Sequence, residues 1–430
     1  LSRETGAVYD CRSASNRFSL PMTSDDDFSH GARQVRFTRE RRGVSSETMR
    51  GWARPMTSAE ARQNAELVAT SRWPRLAGRA YSGAPPPTMP LRLAELQDRL
   101  RASMLGFAVG DALGFPLRGL PPPGLMRLSH VADDFAARPR GRFARGQFSD
   151  DTQLMLAMAE AVTRERRIDG KAIAAHLSWL WQEGVILQPP TSATDAAQAL
   201  LAGTPWMGAG AELGVRDPSC LSRALVLGFW SEASPPRLAH DAQVSTVVTH
   251  KDPLCTAAAA AFARAVQLGL SGETLDANAF CAEVSKAAAP AFQELADELY
   301  YLPRALAWEP DRALPALRRV GVSGSEYELE AGLPAHVTPV LVTALYCVLK
   351  APKDFRAAMT MVLSSGGEVD VAAGLVGAIV GAHVGTEGLP ARLRRNVLYA
   401  DSLVDAADRL FDAKLAKEQV TVSQTVTVRR

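Results

Sequence analysis

The chain has 430 residues, 47% of them hydrophobic, and its 48 basic and 46 acidic side chains leave a formal charge of +2. That length and apolar share allow a sizeable core, while the near-neutral balance gives no electrostatic reason to expect nucleic acid or an anionic membrane as partner. Cys11, Cys220, Cys255, Cys281 and Cys347 are odd in number and form no Cys-x-x-Cys pair, so they indicate neither a disulfide framework nor a zinc site and suit a reducing, cytoplasmic setting.

Residues 1–88 differ from the rest. They carry Asp25-Asp26-Asp27, Arg39-Glu40-Arg41-Arg42 and Pro85-Pro86-Pro87, with a helical period only briefly near Ala59 to Val68. The expectation is a disordered leader, and its acidic run argues against a basic targeting segment. Met89 stands just before the first convincing helix, which suggests that part of the leader reflects an over-extended reading frame. No secretory-type apolar core lies near Leu1, and no uncharged apolar run reaches membrane-spanning length.

From residue 89 to 415 the pattern is helical. Leu91, Leu93, Leu96, Leu100, Met104 and Phe107 mark an apolar face that ends in Gly110-Asp111-Ala112-Leu113-Gly114, where the glycines predict a tight turn. Asp111 is placed either to cap a helix or to reach an acidic centre. Pro121-Pro122-Pro123-Gly124 predicts a loop before the segment Gly146-Gln147-Phe148-Ser149-Asp150-Asp151-Thr152. Helical length and period recur in Ile173 to Trp181, Ala196 to Leu201, Ser222 to Trp230, Pro253 to Leu268, Ala291 to Leu302, Val340 to Leu349, Phe355 to Leu363 and Ala372 to Val384. Asp252 before Pro253 reads as a cap with proline in the first turn. The predicted architecture is all-α, one compact multi-helix domain. Val420 to Arg430 alternate like a strand without a partner and predict a loose tail within 416–430.

Two acidic clusters carry the chemistry. Ser149 is a good N-cap, and Asp150 and Asp151 in a first turn suit the helix dipole, so capping alone is one reading of that cluster. The second cluster, Gly366-Gly367-Glu368-Val369-Asp370, opens a run in which Gly377, Gly381 and Gly385 recur every four residues. One face of that helix is nearly bare, which lets another backbone approach closely. Carboxylates at the ends of interior helices need a partner. An oxygen-only set suits magnesium or manganese better than zinc, so a divalent cation is the other reading.

Gly106-Phe-Ala-Val-Gly110-Asp111-Ala-Leu-Gly114, the Gly146 to Thr152 segment, Val248-Thr249-His250 and Gly366 to Asp370 with Gly377-Ala378 and Gly381-Ala382, in this order, resemble the ADP-ribosylglycohydrolase family. The resemblance covers roughly Leu91 to Leu410. It implies an all-α bundle around a binuclear magnesium or manganese centre (Mg2+ or Mn2+), and hydrolysis of an ADP-ribose linkage at the anomeric carbon of the distal ribose. The implied substrate is an ADP-ribosylated protein or an ADP-ribose-containing small molecule. Carried over residue by residue, the metal ligands fall on Ser149, Asp150, Asp151, Glu368 and Asp370. Asp150, Asp151 and Glu368 become the candidate catalytic groups, and Asp111, Arg223 and His250 the candidate substrate-binding ones.

The chain also departs from the family pattern. Val371 stands where the family has a threonine and offers no oxygen to a metal. Glu368 replaces an aspartate, which displaces its carboxylate by about 1.5 Å. Arg118 stands where several branches carry a glutamate close to the catalytic water; there it is a cation beside a cation site, unless it turns outward or pairs with Asp111. The substrate loop matches Pro218 to Arg223 only at the arginine. These departures motivate an alternative, a catalytically weakened relative that binds ADP-ribose or a protein partner without turnover. For His250 the bland reading is a histidine satisfying backbone groups ahead of a helix, and Trp179, Trp181, Trp206 and Trp230 are expected in the core.

Overall fold

A computed structural model describes residues 91–122, 132–136, 143–323 and 331–428; the leader expected at 1–88 lies outside the described residues. In chain order the helices are α1 (Leu91–Gly114), α2 (Asp150–Glu165), α3 (Gly170–Gln182), α4 (Thr191–Leu201), α5 (Ala224–Trp230), α6 (Pro235–Thr246), α7 (Pro253–Ser271), α8 (Ala277–Ala288), α9 (Gln293–Tyr301), α10 (Pro310–Leu317), α11 (Val337–Lys350), α12 (Phe355–Leu363), α13 (Val369–Val384), α14 (Ala391–Asn396) and α15 (Ala400–Val428), with single-turn segments between some of them. Among the described residues there is no strand, only the isolated bridges Ala211 to His250 and Leu333 to Gly367. The fold is all-α, as the periodicity predicts.

The organising contact is the crossing of α1 and α13, the most extensive helix pair in the bundle. A β-carbon on Gly106 would stand 2.1 Å from the Gly377 carbonyl oxygen, and one on Gly377 would stand 1.9 Å from that of Gly106. Gly110 faces the Ala373 carbonyl and Gly381 faces that of Ala102 at similar range. The two backbones therefore touch along three turns, a closeness only glycine permits. This corrects the turn predicted at Gly110 to Gly114: α1 continues through Gly114, and those glycines admit a partner helix instead. The bare face expected of α13 is present at Gly377 and Gly381, whereas Gly385 ends the helix at φ +74°.

Around this pair the chain wraps further helices. The alanine-rich α7 is capped by Asp252, whose carboxylate accepts from the Leu254 N–H, and Thr256 to Ala263 are all buried. Although α7 has the length and hydropathy of a membrane-crossing helix, 78% of its apolar window is buried within the fold. Trp181 and Trp230 are buried, and Trp179 and Trp206 pack partly buried against the core. Besides α14 and α15, the sequence reading passed over α6, α8 and α10. The first and last open on proline and mix polar with apolar residues, and α8 carries its period on alanine and cysteine more than on leucine. The strand-like alternation of the tail is overruled too, since α15 propagates as helix through Val428; extending an established helix costs far less than starting one.

The crossing yields a stability prediction. Gly377→Ala is expected to cost about 3 kcal/mol, the upper part of the overpacking range, because two backbones would have to separate. Gly208→Ala, whose added carbon would meet only the Thr204 methyl at 3.5 Å, should leave stability unchanged or slightly raised. Urea midpoints for the two variants check this.

Candidate functional site

The site begins with how α2 starts. Ser149 lies in the extended region, and its hydroxyl accepts from the Asp151 N–H at 3.2 Å. Asp111, one turn before the end of α1, supplies a second cap from outside. Its carboxylate accepts from the Ser149 N–H at 3.0 and 3.1 Å, the Thr152 N–H at 3.0 Å and the Thr152 hydroxyl at 2.6 Å. Both functions open to Asp111 are thus realised: it caps α2, and it belongs to the acidic centre.

At α13 the glycine crossing delivers the opposing carboxylate. Gly114 meets Asp370, with a would-be β-carbon 2.4 Å from the Asp370 Cα. One oxygen each from Asp111, Asp151 and Asp370 lies within 4.8 Å of the others, and all three residues are buried. Asp150 Oδ1 and both oxygens of Asp370 are buried without a hydrogen-bond partner. The Asp151 carboxylate accepts a short hydrogen bond from the Ser222 hydroxyl at Oδ1 and a long one from Ser149 at Oδ2. Arg118 approaches from the segment after α1: its Nη1 is 2.9 Å from Asp370 Oδ2, without hydrogen-bond alignment, and 3.7 Å from Asp150 Oδ1. It therefore turns inward, toward Asp370 and Asp150 and not toward Asp111.

Crowding carboxylates away from water has the expected electrostatic result. Burial, reinforced by the charge of Asp370, pushes Asp111 up to about 6 and Glu368 up to about 7. Burial likewise drives Asp150 and Asp151 well above the usual carboxyl range; Arg118 counteracts this at Asp150, while the neighbouring aspartates add to it at Asp151. Burial alone would lower the Arg118 pKa, yet Asp370, Asp150 and Glu368 outweigh it and hold the guanidinium charged.

The cluster forms one wall of a cavity of about 260 Å³, lined among others by Asp150, Asp151, Glu368, Val371 and Asp217. Gln188, Pro189 and Pro190 line it too, at the end of a segment fixed over α2 because the Gln153 amide donates to the Val185 carbonyl and accepts from the Leu187 N–H, both at 2.8 Å. The other two candidate binding residues lie one layer back. His250 is fully buried and bonds Asp217 through Nε2 at 2.9 Å and Thr249 through Nδ1 at 2.9 Å. Burial lowers its pKa, but the hydrogen bond to Asp217 wins and raises it, so a charged imidazole is favoured; Asp217 is correspondingly held low despite its own burial. Arg223 is fully buried too, donating to the Ser245 carbonyl at 3.0 Å and the Thr249 hydroxyl at 2.7 Å. Neither lines the cavity; they brace the loop that carries Asp217 and Ser222.

Asp217 and Ser222 are the site residues that the sequence reading missed. Asp217 precedes a proline, the same cap signature as Asp252, and its carboxylate indeed accepts from the Ser219 N–H. Nothing local, however, marks its pairing with His250, 33 residues on, or the bond from Ser222 to Asp151, 71 residues back. The donor set suits a hard divalent cation: it is all oxygen, buried, and partly without internal partners.

Comparison with known proteins bears on the family and the fold. The family model of ADP-ribosylglycohydrolase matches residues 92–419. A protein of Archaeoglobus fulgidus is 26% identical over 332 residues, covering 76% of this chain and the whole of that protein. A Pseudomonas putida protein named ADP-ribosylarginine hydrolase Tri1 is 23% identical over 322 residues, covering 73% of this chain and 78% of that one. A solved structure titled ADP-ribosylglycohydrolase-related protein complex superposes with a TM-score of 0.58 at 23% identity, covering 75% of this chain and 99% of the other.

The electrostatics yield a pH prediction. Asp111 and Glu368 keep protons in the folded chain to about 6 and about 7, against ordinary values of 3.8 and 4.5. Through that interval the folded state binds more protons than the unfolded state, so stability falls as pH rises. Metal-free protein is expected to melt at a higher temperature at pH 5 than at pH 8, and added Mn2+ should raise the melting temperature more at pH 8. A metal-free melting temperature that climbs from pH 5 to pH 8 would contradict the assignment.

Proposed function

The chain belongs to the ADP-ribosylglycohydrolase family and is thereby a hydrolase of ADP-ribose linkages; we propose that it cleaves ADP-ribosylated protein at the anomeric carbon of the distal ribose, with magnesium or manganese held by the carboxylate cluster. One observation carries this reading: the buried oxygens of Asp150 and Asp370 that accept no hydrogen bond, beside the Asp111, Asp151 and Asp370 triad at the wall of a cavity. Asp111, Asp151 and Asp370 would hold the ion, with Asp150 beside them. When bound, it would supply Lewis-acid polarisation of ribose hydroxyls and of water.

The chain's own residues supply the rest. Glu368, in the cavity wall, is placed to take the proton of the attacking water as a general base. Asp150 and Asp151 present negative charge where a ribosyl cation would develop. Ser222 fixes the orientation of Asp151. The relative named as an ADP-ribosylarginine hydrolase makes arginine-linked ADP-ribose the first acceptor to test. Four buried free thiols among the described residues fit a reducing, cytoplasmic setting.

One observation favours a second reading, binding without turnover: the Arg118 guanidinium already contributes positive charge to the centre. Release of ADP-ribose from an arginine-modified protein, followed after chelation and again after adding Mn2+, separates the two. The hydrolase reading expects activity that chelation removes and Mn2+ restores. It also expects Glu368→Gln to lower kcat by about 100-fold or more, the usual scale for losing a general base. Tight ADP-ribose binding with no release under any metal condition would leave the second reading in its place.

A further inference from the structure

We propose that the Arg118 guanidinium is a resident cation of the centre, standing where a second divalent ion would bind, so that this chain takes up one ion, on the Asp111, Asp151 and Asp370 side. The proposal rests on the reading of the cluster as a metal centre and adds its stoichiometry.

The first argument is position. Nη1 lies 2.9 Å from Asp370 Oδ2 and 3.7 Å from Asp150 Oδ1, in the space between the two carboxylates that a further ion would have to share. A magnesium ion needs its oxygens at roughly 2.0–2.1 Å, and a guanidinium nitrogen facing the same oxygens blocks that approach both by volume and by like charge. Val371 lines the same cavity and brings no oxygen to it. That side thus lacks a ligand as well as room.

The second argument is that the arginine is built in. Its Nη2 donates to the Gln188 carbonyl at 3.1 Å, and its Cζ lies 5.6 Å from the centre of the Phe115 ring, within cation–π range. The backbone beside it is pinned to the segment that carries Glu368 and Asp370: the Gly119 N–H donates to the Gly367 carbonyl and the Gly367 N–H to that of Leu120, both at 3.0 Å. Only 18% of the side chain is exposed. An arginine held over the Phe115 ring, at one nitrogen and along its backbone does not swing out cheaply.

The third argument is what remains. Asp370 Oδ1 has no internal partner, and an oxygen from each of Asp111, Asp151 and Asp370 still converges within 4.8 Å. That leaves three convergent carboxylates for one ion. An arginine supplies charge and N–H donors but no open coordination position, so the centre would work with one Lewis acid and one fixed cation.

The test is calorimetric titration of the full chain with Mn2+, with electron paramagnetic resonance to detect a spin-coupled manganese pair. Wild type is expected to bind one ion with no coupled signal, Arg118→Gln two with a coupled signal, and Arg118→Lys, which keeps the charge, one. Two ions in wild type, or one in both wild type and Arg118→Gln, overturns the proposal while the metal centre stands. No binding in any of the three removes the metal reading itself, and the proposal with it. Circular dichroism verifies that the variants fold, and if Arg118→Gln does not, two ions in wild type or in Arg118→Lys still overturns the proposal.

Discussion

Where α1 crosses α13, neither helix has room for a β-carbon, and the site depends on that contact. With the Gly106 and Gly377 backbones touching, Asp111 and Asp370 are held on adjoining helices near the end of the crossing. Asp111 then reaches sideways to the opening of α2 and fixes Asp150 and Asp151 in the same space. Three helices remote in sequence are joined at one point by backbone packing and one buried carboxylate. Ordinary side chains at the crossing would force the helices apart and open the cluster.

Such a cluster works against folding, because each buried carboxylate loses hydration and repels the next. The structure offsets part of that cost locally. Asp111 accepts hydrogen bonds from the α2 opening, Asp151 accepts from two hydroxyls, and Asp150 and Asp370 share the field of Arg118. The remainder is what makes the centre attractive to a divalent ion: the buried oxygens of Asp150 and Asp370, which accept no hydrogen bond, have more to gain from a cation than exposed carboxylates would. The loop carrying Asp217 and Ser222, braced from behind by His250 and Arg223, spreads this organisation into the cavity wall.

Much of this was legible in the sequence. The opening of α2 could be read because an N-cap and a first-turn carboxylate leave a local signature, and the four-residue glycine spacing of α13 announced a close backbone partner. The identity of that partner was not legible. Glycine serves turns and helix crossings alike, so Gly110 and Gly114 suggested a turn until α13 was seen packed against them. Asp217 and Ser222 escaped because their roles are set by partners far along the chain, and a residue's neighbours in sequence carry no trace of those. Arg118 was visible as a cation near a cation site, but whether it faced inward depended on the pairing of Gly119 with Gly367, a tertiary fact.

The central claim is that the carboxylates gathered by α1, α2 and α13 bind a divalent cation. A crystal of the protein grown with Mn2+ and measured at a wavelength where manganese scatters anomalously tests it most directly. The account predicts an anomalous peak within coordination distance of Asp151 and Asp370, next to Asp111. A well-ordered site with no anomalous density among these carboxylates, or with manganese bound elsewhere instead, would contradict it.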